Sequence, residues 1–198
     1  MNRDILSPVR HGLIMAVAAL IFGALWAGFL ATQHEILHTG FESQQLVVEQ
    51  SEQVLHNHDH NDSMHTTEQH SHSGNLANDA MQRLLRGHIH FMGLGVLVTA
   101  LLLITTFTSL NDCWKKALGW SFGIGAVAYP PAWILMGLRT VTLGPEAAEA
   151  SVMWLFMPAV GLLLLSMSIL LAVLMIEWLG WQNKSWLSIL FKDCPNVG

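Results

Sequence analysis

Residues 152–176 read VMWLFMPAVGLLLLSMSILLAVLMI, an apolar stretch without a single charged side chain. A helix needs about 20 such residues to cross the hydrocarbon core of a bilayer. Three further stretches meet this requirement, at residues 12–32, 89–107 and 117–138, and none of the four has a charged residue at its centre. The sequence therefore predicts an all-α integral membrane protein, built as a bundle of four transmembrane helices.

The overall composition favours the same class of protein. The chain has 198 residues, of which 52% are hydrophobic and 12% charged, and its mean hydropathy is +0.43. A soluble domain carries about 25% charged residues. The nine basic residues are scattered and the formal net charge is −5, so the chain lacks the basic surface that a nucleic-acid-binding protein needs.

The spans divide the chain into four parts. Residues 1–33 form the N-terminal segment and first span, 34–87 a histidine-rich loop, 88–178 the other three spans, and 179–198 an interfacial tail. The first span is longer than the apolar core of a signal peptide, which has about 7–15 residues. We expect it to stay as an anchor, with cleavage near Ala31 as the alternative.

The distribution of lysine and arginine predicts the orientation of the spans. Cytoplasmic segments of membrane proteins carry an excess of basic residues. With the N-terminus inside, the inner segments hold six (Arg3, Arg10, Lys115, Lys116, Lys184 and Lys192) and the outer segments three (Arg83, Arg86 and Arg139). We therefore expect a protein of the cytoplasmic membrane with both termini inside and the loop outside. Its expected partners are the lipid bilayer and either a membrane complex or further copies of the chain.

The loop has two flanks with helical spacing, residues 40–55 and 76–87, and a polar, low-complexity centre. The centre cannot bury apolar surface, so we expect it to be disordered without a ligand. Imidazole and carboxylate groups suit zinc, copper, nickel and cobalt, and a histidine-rich tract is typical of metal binding. A solubilising or pH-responsive linker is the alternative. The six histidines of this tract are His56, His58, His60, His65, His70 and His72.

A second histidine motif follows the first span, where residues 34–38 read HEILH. On a helix, His34 and His38 lie on one face and can share a zinc ion. The motif resembles the HExxH signature of zinc metalloproteases, and that resemblance implies that Glu35 is a catalytic base. It covers only five residues. The extended HExxHxxGxxH form and the aspartate motif of intramembrane proteases are both absent from the sequence.

A third histidine motif opens the second span, where residues 86–93 read RGHIHFMG. His88 and Met92 lie one turn apart on one face, whereas His90 points away from them. The motif resembles the haem- and copper-binding helices of the respiratory oxidase and NnrS-like families over a few residues. If the first two spans are antiparallel neighbours, His34, His38 and His88 meet at one depth, with His90 as an optional fourth member.

These patterns favour a binding function over catalysis. The first expectation is a transition-metal protein (zinc, copper, nickel or cobalt) with ligands from His34, His38, His88, His90 and Met92, serving metal handling, sensing or delivery. The alternative is a b-type haem subunit, with His38, His88 and His90 as candidate ligands. A zinc protease using Glu35 and a structural subunit of a membrane complex are less favoured. His11 is expected at the opposite end of the bundle.

Overall fold

The structure, a computed structural model, describes residues 5–56, 76–181 and 187–191. In this part of the chain, a 3₁₀ turn at Ser7–Val9 leads into helices α1 (Arg10–His56), α2 (Leu76–Phe107), α3 (Asp112–Leu143), α4 (Pro145–Trp178) and the short α5 (Ser188–Phe191). The first four are long and apolar enough to cross a membrane. The predicted all-helical bundle with four such helices is confirmed, and it is compatible with a multi-pass membrane protein.

Local sequence sets both ends of α3. The Asn111 side chain accepts a hydrogen bond from the backbone N–H of Trp114 at 3.0 Å, which satisfies a donor that the first turn leaves open. Gly144 has a φ of 80°, a conformation that glycine adopts without steric cost. Pro145 then starts α4, because proline suits the first turn of a helix. One residue therefore reverses the chain between α3 and α4.

Helix α3 lies at the centre of the bundle, because it packs against α1, α2 and α4. Glycines make these contacts close: Gly119 of α3 meets Gly12 of α1, and Gly125 meets Leu163 of α4. Small residues let helices approach closely where lipid removes the hydrophobic drive for association. Helix α4 touches α2 at only a few residues. The bundle is thus a mutually packed group of α1, α2 and α3, with α4 held mainly by α3.

Helix α1 is much longer than a bilayer requires. Its 47 residues extend over about 70 Å at 1.5 Å per residue, against about 30 Å of hydrocarbon. Residues 33–56 continue the helix of the first span, and residues 76–87 form the first turns of α2. Both flanks of the predicted loop are therefore helical, as their spacing indicates. Its centre, residues 57–75, lies outside the described residues, together with the prediction of disorder made for it.

The antiparallel helices give the bundle two distinct ends. We call one of them the connection end. It contains residues 33–56 of α1, the start of α2 and the turn at Gly144. The opposite end holds the ring of His11, stacked on Trp120 with centroids 5.4 Å apart. It also holds α5, whose Leu190 carbonyl accepts a hydrogen bond from the Asn111 backbone at 3.0 Å. His11 is accordingly remote from the histidines of the connection end, as predicted.

Candidate functional site

His34 and His38 lie on one face of α1 at the connection end. Their rings are nearly parallel, at 12°, and their centroids are 6.1 Å apart. A metal ion lies about 2.1 Å from a coordinating imidazole nitrogen, so the centres of two imidazoles on one ion are roughly 5 to 6.5 Å apart. The observed spacing falls in this range. The spacing of the two ring centres alone is therefore compatible with a shared metal ion.

Two neighbouring side chains hold the ring of His38. Its Nδ1 lies 3.3 Å from Oε1 of Glu42, one turn further along α1. Its Nε2 lies 3.1 Å from Oδ1 of Asn78 in α2. The carboxylate of Glu42 and the amide oxygen of Asn78 both only accept hydrogen bonds, so each ring nitrogen of His38 faces an acceptor. A carboxylate that accepts from one nitrogen of a histidine orients the other nitrogen for a metal. Nε2 would be open to another partner only if the contact with Asn78 were broken.

His88 also faces α1, but it contacts a part of α1 nearer the N-terminus than His34 and His38. Its Nδ1 donates a hydrogen bond to the backbone carbonyl of Gly23 at 2.9 Å. The side chain of Met92 also lies against Gly23, where a Cβ atom would come within 3.2 Å of the Met92 sulphur. His88 and Met92 therefore share a face, as predicted. Since the carbonyl fixes the proton on Nδ1, Nε2 of His88 keeps a lone pair for a ligand.

His90 points toward α3 rather than α1. Its ring stacks on Trp133, with centroids 5.5 Å apart and an angle of 22°, and meets the ring of Tyr129 edge-on at 5.0 Å. The guanidinium carbon of Arg86 lies 5.5 Å from the centre of the Trp133 ring. His88 and His90 therefore occupy opposite faces of α2, as their spacing predicts. His90 is part of an aromatic cluster between α2 and α3.

The register of α1 against α2 separates the two histidine motifs. Asn78, the partner of His38, precedes His88 by ten residues, which is about 15 Å along the helix axis. The contact of Trp26 Nε1 with the Leu84 carbonyl, at 3.3 Å, lies between these levels. The single cluster of four imidazoles expected from the sequence is therefore not formed. No group of three or more His, Cys, Asp or Glu side chains suited to a metal occurs among the described residues.

Glu35 is exposed on α1, next to the histidine pair. A catalytic zinc site has three protein ligands and leaves one position for water. Within residues 5–56, 76–181 and 187–191, the HEILH motif has two imidazoles and no assembled third ligand.

The histidine-rich tract lies almost entirely outside the described residues. Of its six histidines, His56 is the last residue of α1, and the other five belong to residues 57–75. The chain re-enters the described structure at Leu76, two residues before Asn78. The tract is therefore covalently joined to the helix turn that contacts His38.

Sequence reasoning missed three groups around these histidines. Glu42 continues the four-residue spacing of His34 and His38, so this signal was present in the sequence. Asn78 and Trp133 gave no such signal, because their roles depend on how the helices align. Comparison with protein families, with curated proteins and with solved structures finds no match to this chain.

Proposed function

We propose that this chain is a multi-pass protein of the cytoplasmic membrane that binds a transition metal ion on the extracytoplasmic side. The candidate ions are zinc, copper, nickel and cobalt, since each accepts imidazole ligands. The observation that carries the proposal is the parallel pair of His34 and His38 with Glu42 on the Nδ1 of His38. The excess of basic residues in the segments opposite the loop supports this orientation.

In this proposal the histidine-rich tract collects metal ions, and the helical pair, His34 and His38, binds one of them. His72 precedes Asn78 by six residues, a stretch of chain that extends no further than about 20 Å. The last histidine of the tract is therefore tethered by at most this length to Asn78, which contacts the ring of His38. A capture segment beside an oriented pair suits a protein that collects an ion and delivers it to a partner.

Replacing the tract histidines tests this division of roles. In a variant with all six tract histidines (His56, His58, His60, His65, His70 and His72) changed to asparagine, we expect fewer bound ions, with one tightly bound ion retained per chain. The measurement is the metal content of the detergent-purified full chain after dialysis against a weak chelator. A variant that retains no ion would show that the helical pair is not a site. A wild-type chain without any bound metal would contradict the whole proposal.

Glu42 provides a finer test, because it contacts the ring that binds the ion without being required as a ligand. We expect Glu42→Gln to weaken zinc binding by about tenfold, since loss of an orienting carboxylate typically costs 10- to 100-fold in affinity. The matched control is Glu35→Gln, on the same exposed stretch of α1, which should leave the affinity unchanged. Competition with a zinc-sensitive dye measures both. Equal affinities for the two variants would refute the orienting role of Glu42.

The fixed tautomer of His88 favours a second candidate, a b-type haem protein. Its Nδ1 is occupied by the Gly23 carbonyl, which is how a histidine that coordinates iron through Nε2 is oriented. In this candidate His88 would hold the haem through Nε2, and Met92 lies on the same face of α2. The visible spectrum of the purified protein separates the two candidates through the Soret band.

A further inference from the structure

Helix α1 presents exposed apolar side chains far beyond residues 12–32, the stretch that is apolar enough to lie in lipid. Leu46 and Val47 are 59% and 65% exposed. Leu46 follows residue 32 by fourteen residues, which is about 21 Å along the helix axis. The head-group region on one side of a bilayer is only roughly 5 to 8 Å thick. In the membrane position proposed above, lipid therefore does not cover Leu46 and Val47, and both face water.

Exposed apolar side chains recur every eleven residues along α1. Ile14, Leu25, Ile36 and Val47 are separated by this interval, and each is between 59% and 68% exposed. Eleven residues are close to three turns at 3.6 residues per turn, so the four side chains lie on one face of the helix. The side of α1 toward the bundle bears Phe41, which is 6% exposed. The exposed face therefore continues in one direction from the apolar span into the part of α1 that faces water.

The neighbouring parts of the chain offer little apolar surface to this end of α1. The start of α2 meets α1 where the backbone N–H of Ala77 donates to the side chain of Gln45 at 3.3 Å. Residues 46–56 of α1 follow this contact, and an isolated helix shorter than about 12–15 residues is marginal in water. Residues 57–75, which join α1 to α2, contain Met64 as their only large apolar residue. A helix of another molecule is therefore better suited than the chain itself to cover the exposed face.

The charges of this region indicate the kind of partner. Residues 33–75 contain seven acidic residues and no lysine or arginine. Three of the acids, Glu35, Glu42 and Glu49, recur every seven residues, so they line one edge of the face that bears Leu46. A second copy of the chain would bring the same negative charges and no opposite ones. Since opposite charges guide association and like charges suppress it, a basic partner fits this surface better than a second copy does.

We infer that the projecting part of α1, residues 33–56, docks an amphipathic helix of a partner protein. Apolar side chains of the partner lie against Leu46 and Val47, and its lysine or arginine side chains lie beside Glu35 and Glu49. Paired helices commonly combine an apolar seam with charged flanks that select the partner. The inference rests on the membrane position proposed above, which leaves these residues in water. It does not rest on metal binding, because the docked helix needs no contact with the histidine pair.

Two synthetic helical peptides serve as probes of this surface. Both have the same leucine seam, and one carries lysine beside the seam where the other carries glutamate. With the full chain in phosphatidylcholine nanodiscs and EDTA present, we expect the lysine peptide to bind at least about tenfold more tightly than the glutamate peptide. Changing Leu46 and Val47 together to glutamine should weaken binding of the lysine peptide by at least about tenfold, because the complex buries both side chains. Fluorescence anisotropy of the labelled peptides measures binding, with empty nanodiscs as the background.

Charge variants and the oligomeric state decide the outcome. Glu35→Gln combined with Glu49→Gln should weaken binding of the lysine peptide by about two- to fivefold. The matched control is Glu146→Gln, which changes an exposed acid of α4 at the same end and should leave binding unchanged. Circular dichroism verifies that each variant is folded. Equal binding of the two peptides, or wild-type binding after the change of Leu46 and Val47, would overturn the inference. A dimer of the chain that dissociates on that change would also overturn it, since a second copy would then cover the face. The metal content of the purified chain is a separate readout, so this inference and the proposed metal binding can fail independently.

Discussion

Changing both His34 and His38 to alanine, in a chain whose tract histidines are already replaced, is expected to weaken zinc binding by at least about a hundredfold. Loss of a residue that merely orients a ligand typically costs 10- to 100-fold, and here both ligands themselves are removed. Either single change should have nearly the same effect, because a chelating pair acts as a unit. Competition with a chelator of known affinity measures the loss.

A second readout of the same variants does not depend on the chelator. A ligand at 100 times its dissociation constant stabilises the folded protein by about 2.7 kcal/mol. Zinc should therefore raise the unfolding temperature of the chain with the intact pair and leave that of the double variant unchanged. His11→Ala is the control, because His11 stacks on Trp120 at the opposite end of the bundle. If zinc still stabilises the double variant, His34 and His38 do not form the zinc site. His88 would then be the next residue to replace.

Gly12→Leu is expected to lower the free energy of unfolding by about 3 kcal/mol, at the upper end of what overpacking costs. A Cβ atom at Gly12 would overlap the backbone carbonyl of Gly119 in α3, and backbone cannot rotate away as a side chain can. Leucine is a good helix former, so the loss would come from the contact between the helices rather than from helix propensity.

The control for this variant is Gly28→Leu in the same helix. A Cβ atom at Gly28 meets nothing within 4 Å, and the residue is exposed. Leucine there should leave stability unchanged or raise it by up to about 1 kcal/mol, since glycine is the poorer helix former. Unfolding in detergent with increasing sodium dodecyl sulphate measures both variants. Equal stabilities would show that α1 and α3 do not approach as closely as Gly12 and Gly119 indicate.

The sequence predicts the helices well, because their apolar length is a local property. Residues 12–32, 89–107 and 117–138 each lie inside one helix of the structure, as do residues 152–176. Close contact through small residues is a property of the folded bundle: a Cβ atom at Gly119 would meet Val9 of the 3₁₀ turn, and one at Gly123 would meet Met15 of α1.

The position of one helix along the axis of its neighbour could not be predicted in the same way. The arrangement of the histidines could not be predicted either, because it depends on that position. The residues between α1 and α2 are numerous enough to permit many alignments of the two helices. Side-chain fit at particular positions selects one, such as Gly23 against Phe91 and Gly95 against Leu20. That alignment sets His88 level with Gly23 and brings Asn78 to His38. A sequence pattern along one helix does not indicate which residues of the neighbouring helix lie beside it.

The attachment of α4 mainly to α3 has a consequence for biosynthesis. Chains assemble from the N-terminus as they are made. Helix α2 packs against α1, which is made before it, and α3 packs against both α1 and α2. Helix α4 packs mainly against α3. Within the described residues, each of α2, α3 and α4 therefore packs against a helix that has already been made, so these contacts can form in the order of translation.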